Sequence, residues 1–192
     1  DPEDYFLLVG RLVEPYLRAS VAIEAFRQLP HERLVVVGDG PAARELHAAA
    51  PPNVTFLGRV PDGALVELMQ RCKALVSPTL HDFGLVPIEA MACGRPVIAY
   101  GRGGARRTVV HGRTGVLFDE QTPEAIAAAI RSFDPDRFDR DAIRRHALRW
   151  DKHRFRERLR RTVELVARSA NAAQRADRRP VAGSASLAAT PA

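Results

Sequence analysis

Short apolar runs alternate with segments of helical period along most of this chain. Residues 6–9, 34–37, 54–57, 74–77, 97–100 and 116–118 are runs of three or four mostly aliphatic residues, each followed by a glycine or another turn residue. Runs this short and this apolar predict strands buried on both faces, and their alternation with helices predicts a parallel sheet built from βαβ units. Residues 19–29 read as an amphipathic helix with Val21, Ala22, Ala25 and Phe26 inward. Gly38-Asp39-Gly40-Pro41 turns the second run into a helix through about Ala49, and Asp62 is placed to cap a helix through Arg71. Thr122-Pro123-Glu124 has the chemistry of a helix start: a capping hydroxyl, a proline at the first position and an acidic first turn. Residues 140–168 read as helical with one or more breaks. The remainder is rich in Ala, Ser and Arg without periodicity, and predicts a disordered tail over 169–192 beyond a domain of residues 1–168.

The expected fold class is therefore α/β: five or six parallel strands with helices on both faces. Ligands of such sheets bind at the carboxyl ends of the strands. Gly10-Arg11, Gly38, Arg59-Val60, the loop from His81 to Leu85 and the loop from Gly101 to Gly104 all follow predicted strands. Five loops then converge on one edge. The densest is HDFGLVPIEAMACGRPVIAYGRGG, residues 81–104. Phe83-Gly84-Leu85 makes a tight turn, Pro87 opens a short helix carrying Glu89, and Gly94-Arg95-Pro96 ends it. A helix N-terminus exposes unpaired N–H groups and the positive end of the dipole, which suits phosphate. A carboxylate one turn inside that helix suits ribose hydroxyls. Arg11 is placed to give paired hydrogen bonds to phosphate oxygens.

The 81–104 run resembles the nucleotide-sugar half of retaining GT-B glycosyltransferases, the glycosyl transferases group 1 family (family 4), in wording much like bacterial mannosyltransferases of polysaccharide synthesis. The resemblance extends from about Tyr5 to about Val163. It implies a Rossmann-like domain, one half of a GT-B enzyme, holding a nucleotide-diphosphate sugar such as GDP-mannose for transfer to a polysaccharide or lipid-linked acceptor. It implies a missing N-terminal half that carries the acceptor site, so that this domain alone transfers sugar poorly. Glu89 matches the second glutamate of the family's E-x7-E motif, which binds ribose. Phe83, Gly84 and Leu85 match the loop that holds the sugar and distal phosphate through backbone amides. Arg11 matches an arginine that binds the donor diphosphate, with Gly10 and Gly38 at strand ends counted with it as donor-binding, and Arg59 and Val60 match the loop against the nucleobase. Three positions depart from the pattern. RLVEPYLR carries one extra residue, Glu14 or Pro15, and has Leu17 where the family has a lysine, with Arg18 retained beside it. His81 stands where the catalytic motif has its first glutamate, and Arg107 where relatives have a glutamate. A neutral imidazole accepts one hydrogen bond but supplies no negative charge. These departures carry an alternative reading: a domain that keeps the fold and binds or scaffolds without catalysis.

Composition narrows the partners. The chain has 192 residues, 46% of them hydrophobic, which suffices for one domain with a core. It begins with Asp1 and not Met, and reads as a fragment or a processed form; the start DPEDY does not read as a signal peptide. Two cysteines, Cys72 and Cys93, are too few for a disulfide framework, read as small core residues, and fit a cytoplasmic protein. No His/Cys/Asp spacing suggests a metal, and neither metal nor other cofactor is expected. His111, His146 and His153 read as surface or packing residues. The formal net charge is +6, with much of the excess after residue 130. Without interleaved aromatics or a recognised motif, this points away from nucleic acid. Attraction to an anionic membrane surface, at the inner face where lipid-linked acceptors sit, is the alternative to a merely arginine-rich composition.

Overall fold

The computed structural model describes residues 3–177, with side chains through residue 170. The chain divides into two compact units, one ending at Trp150 and one beginning at Asp151. The first holds six strands: β1 (Phe6–Val9), β2 (Leu34–Val37), β3 (Val54–Gly58), β4 (Leu75–Ser77), β5 (Val97–Tyr100) and β6 (Gly115–Phe118). All pair in parallel, in the order β3-β2-β1-β4-β5-β6. The order reverses between β1 and β4, and the crevice outside the strand ends at such a switch point is where these sheets take ligands.

The two-residue side-chain period of a strand splits each apolar run between two cores. Phe6, Leu8, Leu34 and Val36 face one cluster with Phe26 of α1 (Ala19–Arg27) and Ile126 of α6 (Pro123–Arg131). Leu7, Val35, Val37 and Leu75 face the other, with Met69 of α3 (Asp62–Arg71), Met91 of α4 (Leu85–Ala92) and Ile143 of α7 (Arg140–Ala147). Phe6 and Phe26 meet edge to face at 5.8 Å between centroids. Burying each such ring stabilises the domain by about 2–3 kcal/mol. The remaining α-helices of this unit are α2 (Ala43–Ala49) and the single turn α5 (Ala105–Thr108), with short 3-10 turns at Pro135–Arg137 and Leu148–Trp150.

Several local expectations are corrected. α1 ends at Arg27 and not at residue 29, and Ile23 is buried where Val21 is only half-buried. Asp62 is the first residue of α3; Pro61 is the cap position, and no side chain caps it. α4 begins at Leu85, two residues before Pro87, because Gly84 takes a left-handed φ of 81° and serves as the cap position. Thr122 caps α6 as expected, its hydroxyl accepting from Ala125 N at 3.2 Å. Cys72 is buried and Cys93 half-buried.

Among the described residues the second unit holds the helix α8 (Lys152–Asp177). It continues past Ser169, where an unstructured tail was expected, because Ala and Arg are good helix formers and no glycine or proline intervenes before Asp177. The rest of the expected tail, residues 178–192, lies outside the described residues. No described helix is long and apolar enough to cross a membrane.

Candidate functional site

The carboxyl ends of β1, β2 and β3 open into a cavity of about 610 Å³ lined by Gly10, Arg11, Gly38, Asp39, Arg59 and Val60, with Leu65 of α3 on its wall. Five of the residues singled out in the sequence thus meet in one place. Glycine makes this possible. A Cβ on Gly38 would lie 1.8 Å from the Gly10 carbonyl oxygen, and one on Gly40 2.4 Å from that of Leu12. Backbone bonds lace the loops together: Gly10 N donates to Val37 O at 3.0 Å, Gly38 N to Gly58 O at 2.8 Å, and Leu12 N to Asp39 O at 3.0 Å.

Arg11 and Arg59 are exposed, and neither forms an ion pair with a described residue. Asp39 is the cavity's carboxylate, and one of its oxygens already accepts from Gly40 N at 2.7 Å. Two guanidinium groups beside the apolar Val60 and Leu65 suit a ligand with a flat organic part and anionic groups. Asp39 and Leu65 escaped the sequence reading. The turn chemistry of Gly38-Asp39-Gly40 was a signal for the first; nothing short of the packed helix places the second.

Beside this cavity stands a second rim, made by the loop from Leu80 to Gly84 and the loop from Gly101 to Gly104. His81 O accepts from Gly104 N at 2.6 Å. A Cβ on Gly104 would lie 2.5 Å from Phe83 O, and one on Gly103 2.4 Å from His81 O. Arg107 donates to Asp82 O at 3.0 Å, so the arginine that replaces an expected glutamate serves as a strut under the loop. Phe83, Leu85 and Glu89 are exposed, and Glu89 lies one turn inside α4. The rim residues His81, Phe83, Gly84, Leu85 and Glu89 do not line the cavity itself.

Burial pushes the His81 imidazole below its ordinary range, with the Asp82 carboxylate partly opposing. The ring is therefore neutral at pH 7. Its neighbour is Tyr16, edge-on with ring centroids 6.3 Å apart. Tyr16 belongs to the stretch that carries the extra residue, so two of the departures are packed together.

Leu17 is 5% exposed and packs against Gly10, while its carbonyl accepts from the buried Thr79 hydroxyl at 2.8 Å. It is a core residue. Arg18 lies off the cavity, half-buried and left-handed at φ 59°, at the cap position of α1. One of the two candidates for the extra residue has a contact of its own. Glu14 accepts from Ser20 N at 3.0 Å, placing a carboxylate at the N-terminus of α1. Among the described residues no cluster of three or more His, Cys, Asp or Glu side chains could hold a metal ion.

Comparison with known proteins agrees with this architecture. The family described as "Glycosyl transferases group 1" matches residues 3–133. The crystal structure of Anabaena HepE in complex with UDP and glucose superposes with a TM-score of 0.71 at 27% identity, covering 84% of this chain and 48% of that one. Sucrose-phosphate synthase from Thermosynechococcus elongatus superposes with a TM-score of 0.69 at 29% identity, covering 89% of this chain and 46% of that one. Among curated relatives, the D-rhamnosyltransferase WbpZ of Pseudomonas aeruginosa is 33% identical over 66% of this chain and 35% of its own length. The D-inositol 3-phosphate glycosyltransferase of Thermobispora bispora is 34% identical over 85% of this chain and 46% of its own length. The chain thus spans less than half the length of these curated relatives. With the family matched across all six strands, the chain belongs to the glycosyl transferases group 1 family, and its sheet is the Rossmann-like fold of GT-B glycosyltransferases.

Proposed function

We propose that this chain is the donor-binding domain of a retaining glycosyltransferase, holding a nucleotide-diphosphate sugar for transfer to a polysaccharide or lipid-linked acceptor. The observation that carries the reading is the convergence of Gly10, Arg11, Gly38, Arg59 and Val60 on one cavity at the strand ends. The base lies against Arg59, Val60 and Leu65, and Arg11 meets the diphosphate. Glu89 takes the ribose hydroxyls from inside α4. The amides at Phe83, Gly84 and Leu85 hold the sugar and distal phosphate, at a helix start that no side chain caps. His81, neutral, accepts one hydrogen bond from a sugar hydroxyl. UDP conjugates, since the HepE complex holds UDP and glucose, and GDP-mannose, which the 81–104 run suggests, are the first donors to try. Transfer needs an acceptor-bearing half that these residues do not supply.

The absence of a carboxylate at position 81 favours a second reading, a domain that binds the donor without turning it over. Calorimetry with UDP, GDP, ADP and their sugar conjugates tests both. Arg11→Ala and Glu89→Ala are each expected to weaken binding of one preferred nucleotide by about tenfold or more, with an unchanged thermal midpoint. No binding of any nucleotide would overturn the donor reading. Binding that is retained, with His81→Glu gaining transfer once the other half is added, would decide for the second.

A further inference from the structure

The Gly94-Arg95-Pro96 turn leads from α4 into β5, at the amino ends of the strands and so on the sheet edge opposite the first cavity. Gly94 takes a left-handed φ of 77°, and a Cβ there would lie 3.2 Å from Arg140 O, so the turn lies close against the first residue of α7. Arg144 Nε donates to Ala92 O at 3.2 Å and fixes the same approach one turn further along α7. Two guanidinium groups, Arg95 and Arg140, are thereby set on the wall of one cavity of about 250 Å³, which Lys73, Asp136 and Phe138 also line. All of these residues belong to the first unit. A domain that brings an acceptor to the carboxyl ends of the strands faces the other edge.

Arg95 is 6% exposed. A buried arginine ordinarily meets a carboxylate, because an unpaired charge away from water is costly. Arg95, Arg140 and Asp136 each form no ion pair with a described residue. Arg95 Nε donates to Gln70 O at 2.6 Å, and Nη2 donates to the same oxygen. That carbonyl belongs to the last turn of α3, whose dipole sets about half a negative charge against two guanidiniums. Nη1 makes no hydrogen bond with a described residue, yet no buried side-chain nitrogen among them is left unpaired, so Nη1 reaches the open volume. Burial, and then the charge of Arg140, pull the Arg95 guanidinium below its ordinary value, although an arginine keeps its proton. Lys73 adds no free charge, since Asp4 at 2.8 Å and Glu32 both pair with it. Two like charges thus share one cavity with no carboxylate partner among the described residues. A phosphate between them would offer both guanidinium forks the oxygens they match. Asp136 repels a bare anion but accepts hydrogen bonds from hydroxyl groups.

We propose that Arg95 and Arg140 bind the phosphate of a small hydroxylated phosphate ester, in a site separate from the nucleotide cavity. Asp136 takes a hydroxyl of the ester, and Phe138 packs against its carbon chain. The site does not depend on the donor reading. Calorimetric titration of the full chain with glycerol phosphate and with inorganic phosphate, at matched ionic strength, tests it. Both are expected to bind, the ester more tightly. Arg140→Gln, at an exposed residue, is expected to weaken both by about tenfold or more while nucleotide binding is unchanged. Asp136→Asn is expected to tighten inorganic phosphate and to narrow the advantage of the ester, a gain that a loss of structure would not produce. No binding of either compound by the wild type would overturn the proposal, as would equal binding by Arg140→Gln. So would binding that Arg11→Ala abolishes and Arg140→Gln leaves intact, which would assign the phosphate to the first cavity.

Discussion

The two rims of the strand edge are built by different means. The β1–β3 rim is shaped by missing side chains: Gly10, Gly38 and Gly40 let three loops close on one another and leave a cavity with arginines at its mouth. The β4–β5 rim is shaped by contacts between loops, through His81 O, Phe83 O and Asp82 O against Gly104 and Arg107. All three departures from the family pattern involve the second rim or its junction with the first. Leu17 packs on Gly10 and receives the Thr79 bond, His81 meets Tyr16, and Arg107 props Asp82. A cavity set by backbone admits few changes. A rim held by loop contacts can exchange residues as long as the loops still meet.

That contrast breaks hardest at Gly38. Gly38→Ala puts a Cβ 1.8 Å from Gly10 O at a position with φ of 133°, and is expected to cost about 3 kcal/mol or more. Urea unfolding measures it; a loss under about 1 kcal/mol would mean that the first rim is as adaptable as the second. Leu17→Lys is expected to destabilise by about 1–3 kcal/mol, because a buried leucine gives way to an ammonium that must find water. A cost near zero together with tighter nucleotide binding would instead place that ammonium at the cavity. The smallest effect concerns His81. Its imidazole binds a proton less readily folded than unfolded, since burial disfavours the charged form. The penalty is absent above the unfolded value of about 6.5 and grows as pH falls through it towards the lower folded value. Thermal midpoints at about pH 7 and pH 5 are therefore expected to differ more for the wild type than for His81→Asn. Equal differences would mean that the ring is as free to charge in its rim as in solvent.

Much of this was legible in the chain because strands buried on both faces are local signals. All six runs became strands, two of them extended by one residue and one shortened by one. The convergence of Gly10, Gly38 and Arg59 was legible from topology, since each follows a strand. Leu65 was not, because its place on the cavity wall depends on how α3 lies against the sheet. The packing of Leu17 under Gly10 was equally silent. A leucine next to a tyrosine and an arginine in a short loop carries no periodicity to reveal which way it turns. The helix beyond Ser169 was missed for the opposite reason: composition suggested disorder where an unbroken helix-forming stretch sufficed.

The close approach at Gly38, Gly40 and Gly10 also bears on how this domain can change over generations. Every missense change of a glycine codon adds at least a Cβ. At Gly38 and Gly40 that atom would meet a carbonyl oxygen of the neighbouring loop, and at Gly10 it would meet Leu17 at 2.7 Å. Drift towards new ligands is therefore channelled away from the cavity floor. It is left to Arg11, Arg59 and the residues of the second rim, where side chains already face solvent and a single base change can alter charge without moving backbone.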